Sequence, residues 1–425
     1  MKSGKYHFLL AIIITGVLFQ ACNKDEPNPT GIVKGIITDG SSSAALEGVR
    51  VALFDANTNQ TVGNVLTTTV DGAYSFTVAG GSYYLKLAKQ GYTDVPVRGS
   101  SAIPFTVTND SELDNPVEMF VSSDTNIGWI SGKLNSFDVS LLGTLVVASN
   151  GSTGYSTVAD FDGNYVIYNV PADTYVVKAW KVGMNSSESG AVVTADTETA
   201  EVNLQVTNTE GVTVSGTVTF LATANLEVDV ALTHPDTGET IPGLATTTSG
   251  TNYSLENVPI GVFLARASFA NDGIVMDPDW IVKNGEPTVH VLENNVTRDF
   301  SVTGAVSLAA PTNDASTTIP VSTSSTPTFS WSDYSSTSDY VIEVSDANGN
   351  VIWGGFTEFW AAKNIVIPSS QTSIDFNSDG NASAGLESGK VYRWRIYASK
   401  DNVQSPTGWE LISVSEDQRG LIIIE

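Results

Sequence analysis

Asp71-Gly72-Ala73-Tyr74-Ser75-Phe76 is the stretch on which the reading of this chain turns. Asp-Gly favours the positive φ of a tight turn, and the alternation of Tyr74 and Phe76 after it has the period of two of a half-buried strand. The pattern returns as Asp162-Gly163-Asn164-Tyr165 and as Ser249-Gly250-Thr251-Asn252-Tyr253. Three turns of one kind imply three units of one kind.

Upstream of each turn lies an opening strand that alternates around a glycine: Val33-Lys34-Gly35-Ile36-Ile37, Ile130-Ser131-Gly132-Lys133-Leu134 and Val214-Ser215-Gly216-Thr217-Val218. A second apolar strand follows as Val49–Leu53, Leu145–Val147 and Val228–Leu232, and it is expected to lead into a hairpin closed by the Asp-Gly turn. Downstream come a second turn, Gly80-Gly81-Ser82-Tyr83, Pro171-Ala172-Asp173-Thr174-Tyr175 or Pro259-Ile260-Gly261-Val262-Phe263, and another β-branched run. The repeat length of about 90 residues is that of a domain, far above solenoid units. No segment above about ten residues carries helical periodicity, so the units are expected to be all-β sandwiches.

On these motifs the units resemble the carboxypeptidase regulatory-like family, whose transthyretin-like (prealbumin-like) sandwiches carry a DGxYxF turn followed by a PxGxY turn. The first unit matches most fully, since Gly91-Tyr92 also follows its penultimate strand; Gly183-Met184 replaces that pair in the second. The resemblance implies accessory, non-catalytic modules, in a family often grouped with carbohydrate-binding-like folds. The stretch from about 308 breaks the repeat. Pro327-Thr328-Phe329-Ser330-Trp331 and Leu386-Glu387-Ser388-Gly389-Lys390-Val391-Tyr392-Arg393-Trp394 resemble the early tryptophan strand and tyrosine corner of a fibronectin type III-like (Ig-like) sandwich. The expected architecture is an all-β tandem array of four small β-sandwiches at 31–122, 126–207, 211–305 and 308–425, with the last presented farthest from the anchor described next.

Lys2 and Lys5 precede an apolar run, Phe8 to Phe19, that is shorter than the roughly 20 residues of a spanning helix but suits a signal-peptide core over 1–21. The only cysteine, Cys22, follows at once, and Leu18-Phe19-Gln20-Ala21-Cys22 resembles a lipobox, in which the thiol is acylated, as by palmitate, and the chain is cut before it. Ordinary secretion with cleavage after Ala21 is the alternative. Asn23-Lys24-Asp25-Glu26 resembles the Lys24-Asp25-Glu26-type signal that sends lipoproteins of the Bacteroidota to the outer face of the outer membrane, and 22–30 reads as a tether.

Composition narrows the function classes. The net charge of −26, from 20 basic and 46 acidic residues, repels phosphate backbones and argues against nucleic acid as a partner. A lone cysteine excludes disulfides within the chain. The three histidines, His7, His234 and His290, match no metal or triad spacing, and HExxH, GxSxG and P-loop motifs are absent. No enzyme is expected. Lys34 and Lys133 lie where surface adhesins of Gram-positive bacteria place a crosslinking lysine, but Thr217 breaks the series in the third unit.

Two ligand candidates stand out. Asp375, Asn377, Asp379 and Asn381, around Gly380, alternate hard oxygen ligands as the opening of a Ca2+ loop does, although Leu386 takes the twelfth place; a plain polar turn is the alternative. Trp353, Phe356, Phe359 and Trp360 do not follow strand alternation, so not all four can be core on one strand face; they offer either an aromatic platform on which a polysaccharide can stack or core and inter-domain packing. The expected role is a cell-surface binding and spacer stalk for carbohydrate, or a structural component that contacts other envelope proteins.

Overall fold

The computed structural model describes residues 30–221, 227–267, 273–284, 287–357 and 360–425. Cys22, Lys24, Asp25, Glu26 and Phe359 therefore lie outside the described residues, with the whole of the expected signal peptide. Strand accounts for 53% of the chain and helix for 1%, which makes the protein all-β.

The three repeats share one topology. In the first, the opening strand Thr30–Asp39 pairs antiparallel with Ala73–Ala79 and parallel with Glu112–Asp114 and Val117–Met119. The facing sheet runs Leu66–Thr67, Arg50–Asp55, Gly81–Ala88, Phe105–Val107. The second unit repeats this with Ile127–Asn135 between Asn164–Pro171 and Leu204–Asn208, and the third with Val212–Phe220 between Asn252–Val258 and Phe300–Gly304.

This order corrects the expected hairpin. The strands on either side of Asp71-Gly72 belong to different sheets: Leu66–Thr67 pairs with Arg50–Asp55, whereas Ala73–Ala79 pairs with Thr30–Asp39. The turn is an arch across the sandwich. Its apex is pinned to the opening strand, with the amide of Ile37 donating to the Gly72 carbonyl at 2.9 Å and that of Leu134 to Gly163 at 2.8 Å.

The glycine of the opening strand and the tyrosine of the arch form one device. Gly35 faces Tyr74, Gly132 faces Tyr165 and Gly216 faces Tyr253 in register. Each tyrosine lies across its glycine, and its hydroxyl donates to a carbonyl on the far side: Asn115 at 2.6 Å, Val202, and Arg298 at 2.6 Å. A Cβ on any of these glycines would run into that same carbonyl oxygen. Glycine is needed here for space, not for φ. The hydroxyl in turn satisfies a carbonyl in the segment leading to the last strand, so the lock ties three parts of each sandwich together. Tyr83 and Tyr175 add a smaller clasp at the second turn by donating to the carbonyls of Ala79 and Pro171; the third unit has Phe263 there and packs it on Trp180 instead.

The fourth sandwich has a three-stranded sheet, Leu308–Ala310, Thr328–Trp331 and Ser373–Asp375, against a seven-stranded one centred on Val391–Asp401 and Asp339–Asp346. Trp331, Trp353 and Trp394 fill its core, and the hydroxyl of Tyr392 accepts the Glu387 amide at 3.0 Å, as a tyrosine corner requires.

The four sandwiches are not strung end to end. The first touches all the others. Asn169 of the second unit receives the Gly91 amide and donates to the carbonyls of Lys89 and Tyr92, and Asn59 of the first donates to Thr240 of the third. One apolar cluster runs from Phe54 and Tyr84 through Leu145, Val147 and Trp180 to Phe263. The fourth folds back on the first, where Val97 and Phe120 pack on Val391, Leu421 and Ile423. It also meets the third, where Ser413 donates to the Gly304 carbonyl and the short helix Pro278–Asn284 lies against Trp409–Val414. The C-terminal sandwich is therefore not the far end of a stalk but the lid of a closed cluster. Trp280 sits in that short helix.

Candidate functional site

Three of the four aromatic residues, Trp353, Phe356 and Trp360, lie within the described residues. Trp353 is core: it is 2% exposed, it packs on Phe376 at 5.4 Å, and its indole donates to Asp379 at 2.7 Å. Gly354 and Gly355 follow it with φ of 73° and 68°, conformations open to glycine, and they turn the chain so that Phe356 emerges on the opposite side of the sheet. There Phe356 stacks on Trp360 at 4.5 Å and on Trp409 at 5.8 Å, with Tyr397 edge-on to both Phe356 and Trp360. Lys363 lies over the Trp409 ring at 4.7 Å and is tied to Asp339 at 2.7 Å and to Ser399 at 2.6 Å. Trp409 and Tyr397 were missed in sequence. The signal for them is the run Val391–Asp401, which is buried on both faces and so must be covered from outside.

That strand aims two different faces. Tyr392, Trp394, Ile396 and Ala398 enter the core of the fourth sandwich, while Val391, Arg393, Arg395 and Tyr397 alternate with them and point outward. Arg393 and Arg395 both donate to one acceptor, the carbonyl of Gly99 in the first unit. Burial and the neighbouring Arg395 charge push Arg393 down to about 9. The Nε of Arg395 is sealed from solvent without a hydrogen-bond partner.

Between this outward face and the first and third units lies a chamber of about 360 Å3. Lys86, Arg98, Arg266, Arg395, Tyr397 and Trp360 line it, with Glu239 and Asp417 as its acids. Lys86 pairs with Glu239 and lies over the ring of Phe54 at 5.1 Å; Asp417 accepts from Ser101 at 2.9 Å. A smaller cleft of about 90 Å3 between the first two units holds Asp94. Burial, with the Glu239 charge, pushes its carboxyl up to about 7, and its Oδ1 has no partner.

The oxygens of the Asp375–Asn381 loop accept hydrogen bonds from within the loop and from neighbouring strands. Asp375 accepts from Thr328 at 2.5 Å, the Asn377 side-chain Oδ1 from the Ala382 amide at 2.8 Å, and Asp379 from Trp353 and from both the amide and side chain of Asn381. Burial works against the Asp379 carboxylate, but those donors hold it below the usual range. A calcium ion would have to compete with them. Among the described residues no group of three or more His, Cys, Asp or Glu side chains gathers in a metal-binding arrangement. His234 is an interface residue, edge-on to Trp180 at 5.5 Å with its Nδ1 accepting the Asp236 amide; burial pushes it down to about 4. Lys34 is exposed and pairs with Glu112 at 2.5 Å.

No family model matches the chain, and neither does any curated protein. Among solved structures it is similar to the Bacillus anthracis TIE protein, at 14% identity and a TM-score of 0.19 over 65% of this chain and 51% of that one. It is also similar to BcpA, the major pilin subunit of Bacillus cereus, at 13% identity and a TM-score of 0.19 over 65% of this chain and all of that one. A DUF3823 family protein from Bacteroides uniformis is matched at 11% identity and a TM-score of 0.19, over 43% of this chain and all of that one. The chain thus spans about half the length of the first of these. At such TM-scores the likenesses assign no function, and the all-β architecture rests on the strands themselves.

Proposed function

We propose that this chain is a non-catalytic binding protein of the cell envelope, anchored by lipid on Cys22 and carried to the outer face of the outer membrane by Lys24, Asp25 and Glu26. The observation that carries the binding role is the chamber among the first, third and fourth sandwiches. Tandem modules that serve only as spacers have no need to enclose one. Aromatic rings, guanidiniums and a lysine line it, which is the equipment for holding a polar ligand such as a carbohydrate, and no histidine or cysteine lies on its wall. A glycan array probed with the purified exported chain tests the reading; a blank array would overturn it. Shaving of intact cells with protease tests display, and loss of labelling by a palmitate analogue in Cys22→Ala tests the anchor.

A second reading, assembly with other envelope proteins, is favoured by one feature. Glu188–Val192 is an edge strand of the second unit, and Val192 and Val176, on adjacent strands, are 66% and 50% exposed. An unpaired edge beside apolar side chains suits strand addition. Self-association or pull-down that is abolished by Val192→Lys, with a blank array, would select this reading.

A further inference from the structure

We infer that the open edge strand Glu188–Val192 of the second sandwich receives an extended segment of another protein, which sets an aromatic side chain opposite Gly190. The inference rests on the second reading above, assembly with envelope proteins, and names the kind of segment that reading requires.

The three repeats treat this edge differently. Tyr83, Tyr175 and Phe263 hold equivalent places, and the edge residues in register with them are Phe105, Ala191 and Val289. Gly190 therefore corresponds to Pro104 in the first sandwich and to Thr288 in the third. The amide of Val193 donates to the Asp173 carbonyl at 2.9 Å, so by the alternation of an antiparallel ladder Glu188, Gly190 and Val192 turn their backbone polar groups away from Thr174–Trp180. Among the described residues no strand pairs with them on that side, and the Thr199 hydroxyl takes only the Val192 carbonyl, at 2.8 Å. At the equivalent place Pro104 has no N–H to offer, and the first edge strand, Phe105–Val107, is three residues long. In the third sandwich the edge begins only at Thr288, after Pro287. Proline and short length blunt an edge against strand addition; the second edge, five residues without proline, has neither.

Gly190 specifies what the incoming strand carries. Its backbone is not left-handed and a Cβ there would meet nothing within 4 Å, so the fold of this chain has no use for a glycine at a place where glycine weakens a strand. Val176, opposite it, and Val192, two residues along, stand exposed on the same face and border a notch whose floor is Gly190. That face continues a covered one: Leu145, Val147 and Trp180 carry it into the apolar cluster shared with the first and third sandwiches. Residues paired across strands stand on one face, and an aromatic ring opposite a strand glycine lies over it. Tyr74, Tyr165 and Tyr253 already do so across Gly35, Gly132 and Gly216. A second copy fits less well, because antiparallel self-pairing about Gly190 sets glycine against glycine, leaves the notch empty and joins two chains of net charge −26.

The test is calorimetry on the purified exported chain, with a soluble nonapeptide that alternates threonine and valine around a central tyrosine as probe and the same peptide with central alanine for comparison. The tyrosine peptide is expected to bind at least tenfold more tightly. Gly190→Pro, which copies Pro104 and removes an N–H that faces away from the neighbouring strand, is expected to abolish binding of both peptides at an unchanged melting temperature. Gly190→Thr, which copies Thr288 and fills the notch while keeping the N–H, is expected to bind the two peptides equally; should Gly190→Pro lower the melting temperature, this variant carries the test. Equal binding of the two peptides by the parent would overturn the aromatic pairing while leaving strand addition intact. Tyrosine-peptide binding unchanged in both variants would overturn the site. A dimer in sedimentation that Gly190→Pro dissociates, with no peptide bound, would overturn the foreign segment in favour of a second copy. Neither peptide binding and no dimer would overturn the inference, and the assembly reading falls with it only if Val192→Lys leaves association with envelope proteins unchanged.

Discussion

Two closures in this molecule end on a backbone carbonyl, and they are encoded in opposite ways. Inside each repeated sandwich, a tyrosine hydroxyl crosses a glycine to reach the carbonyl of Asn115, Val202 or Arg298. Between the first sandwich and the fourth, two guanidiniums reach the carbonyl of Gly99. The first closure is neutral, buried and repeated; the second is charged, single and spans nearly 300 residues of chain, Gly99 to Arg393. The lock specifies a fold, whereas the seam specifies an arrangement of folds and leaves a chamber beside it.

The comparison breaks most sharply at the glycine. Gly132→Val drives a branched side chain into the Val202 carbonyl, which is backbone, and into the Tyr165 hydroxyl. Overpacking plus loss of the lock is expected to cost more than about 3 kcal/mol. The second unit should then fail to fold, read as loss of soluble protein or of its cooperative transition. A stable, fully folded variant would show that the glycine is incidental.

Next in size is a buried acid at another contact between units. Asp94 keeps its proton up to about pH 7 when folded, against an ordinary value of 3.8. Between those values the folded chain binds more protons than the unfolded one, so stability falls as pH rises through the window, and the full penalty persists above it. Asp94→Asn removes the penalty. Its melting temperature is expected to exceed that of the parent at pH 8, by the equivalent of about 2 kcal/mol, and to match it near pH 4. His234, held near 4 when folded against 6.5, works the other way: the parent loses stability as pH falls from 6.5 towards 4. His234→Gln should flatten that acid limb, and an unchanged limb would place its cause elsewhere.

Tyr165→Phe tests the lock more gently. It keeps the ring and leaves the Val202 carbonyl without its donor, an expected cost of about 1 to 2 kcal/mol in the denaturant midpoint. Tyr74→Phe and Tyr253→Phe should cost similar amounts if the device is one device. A cost confined to one unit would mean that the resemblance among the three is superficial.

The lock was largely legible in the sequence, because glycine and tyrosine recur at related positions in all three units and strand alternation is local. The crossing of the turn between sheets was not, since Asp-Gly serves an arch as well as a hairpin and pairing partners are not written in the turn. In the aromatic cluster, broken alternation said only that the rings could not all share one strand face; that the chain turns at Gly354-Gly355, with Trp353 and Phe356 on opposite sides, needed the fold. Trp409 escaped notice because it joins Phe356 from a strand some fifty residues on. The closed arrangement of the four sandwiches was invisible for a similar reason. Gly99, Asn169 and Arg393 look like ordinary surface residues until two folded surfaces meet.

The seam itself gives the smallest effect and the most informative one. Arg393→Met keeps the length and apolar stem of the side chain, removes one bond to Gly99 and relieves the repulsion with Arg395. Those contributions oppose, so the net change in global stability is expected to stay below about 1 kcal/mol. Local opening should respond even so. Amide exchange at Ser100 and Ser101 is expected to quicken, since Gly99 loses its stronger tie, while exchange around Tyr165 stays as it was. If both regions quicken together, the sandwiches open as one cooperative body and the seam is part of the same structural unit as the locks. If only the seam responds, the fourth sandwich is a lid that can lift from the chamber without disturbing the folds that form its walls.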